Sequence, residues 1–292
     1  WVADQGLADR PLHGDLRAKG ADVVIANLRE ISIAHAGARE PRDEPALPPY
    51  AIPTVDPTWA IRARGFDPAR EHDIESLLTV GNGHVGIRGS TPEGNSASSP
   101  ATYVAGVFHG AATTPQLVVA PDWTHWSLQL DGRPIRLEVG RTLSHERTLD
   151  MRQAILFRHW RHRDDAGRVT RIGSLRVASM AHRATLLQSI LLEPENYGAT
   201  LCFDDGPEES SFETSAGTVV ALAARTIASD VTEGAPHILA LTGDGALPVE
   251  PGRRYLLDRI ACLRTSRDAD VPLDAARQDL ADAAAPGFAA DI

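Results

Sequence analysis

The sequence predicts a mainly β chain whose central part folds as a large antiparallel β-sandwich. From about residue 59 to residue 264, short apolar and β-branched runs alternate with turn residues. Two of these runs are joined by an Asp131-Gly132 turn, the strongest kind of local hairpin pattern. Only residues 273–284 near the end have a helical pattern, which Pro286-Gly287 stops.

The individual strands follow from this alternation. In the first hairpin, residues 127–130 lead into the Asp131-Gly132 turn, and we expect the chain to return over residues 135–139. In the second, residues 154–161 and 169–172 flank a turn at residues 164–167. Further strands are predicted over residues 174–180, 186–192, 199–203, 218–227, 237–242 and 254–263.

Four segments are predicted along the chain. Residues 1–35 have α/β character, because a helical stretch that ends at a glycine is followed by a β-branched run. Residues 36–58 are rich in proline and indicate a linker. Residues 59–270 form the sandwich, and residues 271–292 are expected to begin a linker helix. We expect the whole chain to be a fragment of a longer protein.

Composition excludes several classes of function. A formal net charge of -10 and a pI near 5.5 argue against a nucleic-acid or anionic-membrane partner. No apolar run approaches the roughly 20 residues that a membrane span needs. The two cysteines, Cys202 and Cys262, lie far apart and fit no metal spacing, which is typical of a reduced, cytoplasmic protein.

The glycine-rich stretch Gly81-Asn-Gly-His-Val-Gly86 has the glycine spacing of a dinucleotide-binding loop. The following residues 87–92 cannot start the required helix, and no acidic residue lies between Gly94 and Pro121. We therefore reject a nucleotide site. We expect Gly83 and Gly86 instead to occupy turns with positive φ or points of close backbone approach.

No catalytic set can be assembled from the residue types. His159 and His162 are three apart in one strand, so they lie on opposite faces and cannot easily share a metal. The acidic pairs at 204–205 and 208–209 are adjacent in a loop, unlike the opposed carboxyls of glycoside cleavage. Trp123 and Trp126 could stack on a sugar, although a place in the sandwich core is the favoured interpretation.

Residues 75–89, Glu-Ser-Leu-Leu-Thr-Val-Gly-Asn-Gly-His-Val-Gly-Ile-Arg-Gly, closely resemble the opening motif of glycoside hydrolase family 65. That motif reads E-S-L-F-x-L-G-N-G-x-L-G-x-R-G, and an acidic residue follows shortly, here Glu93. Residues 102–108, 121–123, 131–132 and 149–152 resemble further family motifs in the same order. Leu78, Val80 and His84 replace the usual Phe, Leu and Tyr.

The resemblance implies a role in sugar metabolism without a catalytic residue in this chain. The family includes maltose, trehalose and kojibiose phosphorylases, in which such a sandwich packs on a helical (α/α)6 barrel that carries the chemistry. It implies no cofactor, inorganic phosphate as co-substrate if the parent is a phosphorylase, an α-glucoside disaccharide as substrate, and a possible homodimer. The glycine-rich loops become candidates for the rim of the active site. The rim candidates are Asn82, His84, Arg88, Glu93 and Trp123, and the structural glycines are Gly81, Gly83, Gly86 and Gly89.

Two further hypotheses remain open. Residues 15–30 resemble the last helix and strand of a haloacid-dehalogenase-like hydrolase of the β-phosphoglucomutase type. Such a domain would consume the β-glucose 1-phosphate that an inverting phosphorylase releases. The alternative to a supporting domain is a stand-alone carbohydrate-binding or assembly module without catalysis.

Overall fold

A computed structural model describes residues 52–110, 115–204, 206–232, 235–239 and 246–284. The predicted dehalogenase-like remnant at residues 1–35 lies outside these residues, as does most of the predicted linker at 36–58. The described part begins with an extended segment and a 3-10 helix, Pro57–Trp59, whose first turn is capped by the Asp56 side chain.

The described chain contains two α-helices and a long series of strands. The helices are α1, Glu71–Leu77, and α2, Pro272–Ala284. The strands in chain order are β1 Ala60–Arg64, β2 Val80–Gly81, β3 Val85–Ile87, β4 Thr102–His109, β5 Gln116–Val119, β6 Ser127–Leu130, β7 Arg133–Pro134, β8 Arg141–Asp150, β9 Ile155–Arg163, β10 Val169–Ala178, β11 Thr185–Pro194, β12 Ala199–Asp204, β13 Glu209–Glu213, β14 Val219–Thr232, β15 Ala235–Ile238, β16 Ala246–Val249 and β17 Arg254–Thr265.

These strands form one large sheet and two small ones, and every pairing among them is antiparallel. The nine-stranded sheet has the order β1-β8-β9-β10-β11-β17-β14-β13, with β15 also paired to β14. The small sheets have the orders β2-β3-β4-β5 and β16-β12-β6-β7. The predicted fold class is confirmed.

Both small sheets pack on the same face of the large sheet, and each encloses its own apolar core. Under β2–β5, side chains such as Val85 and Val104 meet Leu156 and Leu186 of the large sheet. Under the other small sheet, Leu128 and Leu201 belong to a second core with large-sheet residues that include the fully buried Trp160. Burial of these side chains supplies the main stabilising free energy of the sandwich.

The first predicted hairpin is confirmed at its turn but wrong in its return strand. Asp131 and Gly132 have φ of 49° and 74°, the left-handed conformation that a two-residue hairpin turn requires. The return strand β7 contains only two residues, and residues 135–139 lie outside any strand. Pro134 cannot donate to a ladder, and the chain turns away after Ile135, whose N–H still donates to the Leu128 carbonyl at 2.9 Å.

The other strand predictions agree in position but differ in length. The strands predicted at 169–172 and 174–180 are one strand, β10, which passes through Gly173 without interruption and ends at Ala178, so the predicted division is wrong. Strand β14 extends five residues beyond the predicted end at 227. Of the predicted strand 237–242, residues 237 and 238 lie in β15, residue 239 lies outside any strand, and residues 240–242 lie outside the described part.

The predicted helix at 273–284 is confirmed as α2, which packs on β14 and β17 of the large sheet. Arg264 of β17 forms an ion pair with Asp279 of the helix at 2.5 Å. Arg277 reaches Glu209 of β13 with two hydrogen bonds of 2.8 and 2.7 Å. The helix is therefore docked on this sheet, and its predicted role as a linker stays a prediction.

Candidate functional site

The glycine-rich stretch connects β2 to β3, and Asn82 holds it in place. The Asn82 side-chain oxygen accepts hydrogen bonds from the backbone N–H groups of His84 and Val85, at 3.0 and 2.8 Å. Its amide group donates to the carbonyls of Ser179 and Arg183 beyond the end of β10, at 2.6 and 3.0 Å. Asn82 is buried, so its donors and acceptor serve the fold and do not face a ligand.

The glycines of the motif have different structural requirements. Gly83 has φ of 81°, where a side chain would be strained. At Gly89 an added Cβ would lie 2.6 Å from the Leu78 Cβ and 2.8 Å from its carbonyl oxygen. Gly86 has no positive φ, and a Cβ added there would have no heavy atom within 4 Å, so the expectation that this position demands glycine is wrong.

Arg88 is part of the support for α1. Its guanidinium donates to the Ser76 hydroxyl at 3.0 Å and to the His72 carbonyl at 2.9 Å. It also lies 3.4 Å from the carboxylate of Glu75, which accepts from the Ser98 hydroxyl at 2.5 Å. These contacts join the helix to the loop that follows β3, and they engage both terminal nitrogens of the Arg88 guanidinium.

A row of polar side chains crosses the inner face of the large sheet between the two apolar cores. Its members lie on six successive strands, directly opposite one another except for a shift of two residues between β9 and β10. We call this row the polar seam, and it consists of Arg147, Arg158, Arg176, Gln188, Arg259 and Thr226. The seam follows the gap between the two small sheets, where loops and α1 cover the large sheet.

The acidic residues of the motif region neutralise two arginines of the polar seam. Arg147 and Arg158 lie directly opposite each other on β8 and β9, an arrangement that is destabilising for two like charges. Glu71 of α1 accepts two hydrogen bonds from Arg147, at 2.9 and 2.7 Å. Glu93 accepts two from Arg158, at 2.8 and 2.5 Å. All four side chains are buried, so each charge depends on its partner.

Arg176 and Gln188 of the polar seam are satisfied by uncharged groups. Arg176 donates to the Gln188 side chain at 2.7 Å and to the carbonyls of Arg88 and Ser90, at 2.7 and 3.1 Å. Its burial lowers its pKa to about 10. Gln188 donates to the Thr124 carbonyl at 2.8 Å. The space left beside these groups is about 10 Å³, close to one water molecule, so the polar seam has no room for a sugar.

His145 lies beside Arg158 of the polar seam as a neutral imidazole. Its Nδ1 lies 2.8 Å from the Gly65 carbonyl and therefore donates to it, while Nε2 accepts from Arg158 Nε at 3.0 Å. Burial, together with the nearby Arg158 charge, lowers the pKa of His145 from 6.5 to about 2. Protonation would place a third cation beside two buried arginines.

We expect His145 to make the protein sensitive to acid. Below pH 6.5 the unfolded chain binds a proton at this imidazole that the folded chain excludes down to about pH 2. The free energy of unfolding should therefore decrease as the pH is lowered through this window, by about 1.4 kcal/mol per pH unit for this group. Urea titrations between pH 7 and pH 4 measure this slope.

The control for that prediction is His145→Gln, which keeps an amide donor and acceptor but cannot titrate. Its stability should depend less steeply on pH than that of the wild type, because unfolding of the variant takes up one proton fewer. Parallel pH profiles for the two proteins would contradict the assignment to His145.

The two remaining rim candidates behave differently. Trp123 is fully buried, and its Nε1 donates to the Thr102 hydroxyl at 3.1 Å, so the favoured core placement agrees with the structure. Trp126 is also fully buried. His84 is partly exposed in the turn between β2 and β3. A contact of His84 with a substrate stays a prediction.

The arginines of the polar seam were missed by sequence reasoning. Arg147, Arg158 and Arg176 occur in strands that otherwise carry buried apolar side chains at alternate positions. A charged residue on the apolar face of a strand indicates a buried partner, because an unpaired charge there is costly. That pattern could have revealed the cluster, although not its partners.

The described part of the chain contains neither a cluster of metal-ligating side chains nor a helix suited to span a membrane. Within the described ranges, no group of three or more His, Cys, Asp or Glu side chains is placed to hold a metal ion. His159 and His162 lie on opposite faces of β9, where His162 contacts the Val139 carbonyl and His159 the Ser144 hydroxyl. Among the residues that the structure describes, neither helix combines the length and apolar composition of a membrane span.

Comparison with known families agrees with this architecture. Residues 61–290 match the model of the family "Glycosyl hydrolase family 65, N-terminal domain". The chain belongs to this family. It is therefore a domain of the kind found in carbohydrate-active enzymes, and the sandwich described above accounts for most of the matched residues.

Related proteins include phosphorylases and uncharacterized hydrolases. A kojibiose phosphorylase of Caldanaerobacter subterraneus subsp. tengcongensis is 33% identical over 143 residues, which cover 49% of this chain and 18% of that protein. An uncharacterized glycosyl hydrolase of Mycobacterium tuberculosis is 35% identical over 159 residues, covering 51% of this chain and 12% of that protein. The chain thus spans less than a fifth of the length of these relatives.

A solved structure shares the fold. The protein named "Putative kojibiose phosphorylase from human microbiome" superposes with a TM-score of 0.63 at 14% sequence identity. The match covers 80% of this chain and 36% of that one. At this identity the likeness concerns the fold alone.

Proposed function

We propose that this chain is the non-catalytic sandwich of an enzyme that cleaves α-glucosidic disaccharides, such as kojibiose, maltose or trehalose, by phosphorolysis or hydrolysis. Family membership and the kojibiose phosphorylases among its relatives support the substrate class. The domain would support a catalytic barrel and contribute His84 and its neighbours to the region near the active site.

The observation that carries the non-catalytic role is the pairing of Glu71 of α1, and of Glu93, with buried arginines of the polar seam. Glycoside cleavage requires one carboxyl group that gives a proton to the leaving oxygen and a second group across the bond. Glu71 and Glu93 each accept two hydrogen bonds from a buried arginine. Both carboxylates are engaged by these arginines, and the polar seam leaves no space for a glycosidic bond.

The further properties of the whole enzyme belong to the same proposal. It would use inorganic phosphate as co-substrate if it is a phosphorylase, need no cofactor, and act in the cytoplasm, with a homodimer as a possible assembly. Residues 1–35 would come from a dehalogenase-like domain that consumes the released glucose 1-phosphate. The resemblance of residues 15–30 supports this last point.

The test is an activity assay of the purified chain. With kojibiose, maltose or trehalose and inorganic phosphate, we expect no release of glucose 1-phosphate, and in the absence of phosphate no release of glucose. A full-length kojibiose phosphorylase under the same conditions is the positive control. Product formation that scales with the concentration of this chain would overturn the proposal.

A further inference from the structure

A pocket of about 180 Å³ lies where the chain departs from the predicted hairpin. It opens between the β6–β7 hairpin, the irregular residues 135–139 and the β9–β10 hairpin. It lies at the outer edge of the second apolar core. Its lining residues are Leu130, Arg133, Pro134, Ile135, Val139, His162, Asp164, Asp165, Arg168 and Thr170.

One wall of the pocket is held rigidly. Arg168 donates to Asp164 at 2.6 Å and to Asp131 at 2.9 Å, and its guanidinium lies 5.4 Å from the centre of the Tyr197 ring. The Tyr197 hydroxyl is 2.7 Å from the Thr170 hydroxyl. A wall fixed in this way loses little conformational entropy when a ligand binds.

Two lining groups are left for a ligand. The side chains of Arg133 and Asp165 form no hydrogen bond or ion pair with any residue that the structure describes. A guanidinium only donates hydrogen bonds and a carboxylate only accepts them. A ligand that engages both must offer acceptors and donors, as neighbouring hydroxyl groups do.

The charge and surface of the pocket favour a neutral ligand with one apolar face. The lining arginines, Arg133 and Arg168, are balanced by Asp164 and Asp165. Leu130 and Ile135 contribute an apolar floor on which the C–H face of a sugar ring could lie. The volume is that of one sugar ring and is too small for an oligosaccharide.

We propose that this pocket binds one ring of a neutral sugar, separately from any active site. Asp165 would accept hydrogen bonds from two hydroxyl groups and Arg133 would donate to ring or hydroxyl oxygens, with the ring packed against Leu130 and Ile135. The choice of a sugar over other neutral ligands rests on the proposed function.

The test is a titration of the labelled chain with glucose and with kojibiose, followed by NMR amide shifts. We expect saturable shifts confined to residues 129–139 and 162–170. Asp165→Asn and Arg133→Gln should each weaken binding at least tenfold. Arg136→Gln changes an exposed arginine of the same loop that does not line the pocket, and its affinity should equal that of the wild type.

Three outcomes would overturn the proposal. They are the absence of saturable shifts at high millimolar sugar, equal affinities in all variants, and binding of zwitterionic glycine in preference to glucose. Because Arg133 and Asp165 are exposed, the variants are expected to keep the wild-type melting temperature, which excludes misfolding as a cause. Failure here is distinct from failure of the proposed function, which is decided by product release.

Discussion

Glu93→Gln is expected to lower the free energy of unfolding by about 3–5 kcal/mol. The glutamine keeps the shape of the side chain but leaves the buried Arg158 guanidinium, opposite Arg147 on the next strand, without its countercharge. Urea denaturation at pH 7 measures the change, since the domain is expected to unfold cooperatively.

The matched control is Glu209→Gln. Glu209 also accepts two hydrogen bonds from an arginine, Arg277, but both side chains are about half exposed. Water solvates both groups after the change, so we expect a much smaller loss of stability than for Glu93→Gln. Similar losses at positions 93 and 209 would contradict the importance of burial at the polar seam.

Gly89→Ala is expected to lower the free energy of unfolding by about 1–3 kcal/mol. The new methyl group would overlap both the side chain and the carbonyl of Leu78, a fully buried core residue. Relief of the overlap requires a shift of the backbone between α1 and β2. The melting temperature and the urea midpoint both report this change.

Gly86→Ala is the control for that substitution within the same motif. Nothing lies within 4 Å of the added methyl group, and the residue is in strand β3. Its effect should stay within about 0.5 kcal/mol, as for a surface substitution. If Gly86→Ala were as damaging as Gly89→Ala, local packing would not explain the glycines of the motif.

Local patterns explain which parts of the fold could be predicted. The turn at Asp131-Gly132 and the helix α2 depend on neighbours in sequence, and both are observed. The return strand at 135–139 was not predictable in the same way, because alternation in sequence does not show whether a partner strand is long enough to pair with it. Its departure from the sheet creates the proposed sugar pocket.

The interior of the motif region could be predicted only in part. The motif itself indicated the family, and the poor fit to a nucleotide-binding loop was evident from residues 87–92. The pairing of Glu93 with Arg158 joins residues 65 positions apart and depends on which strands become neighbours. The family resemblance could therefore suggest a rim role for Glu93 without revealing its buried partner.

The most direct test of the structural role of the motif is a double-mutant cycle at Glu93 and Arg158, with Glu93→Gln, Arg158→Met and the combined variant. If Glu93 serves to neutralise Arg158, the loss of stability in the combined variant should be smaller than the sum of the two single losses. The expected difference is about 2–3 kcal/mol. Strictly additive losses would show that the two side chains do not depend on each other and would contradict that role.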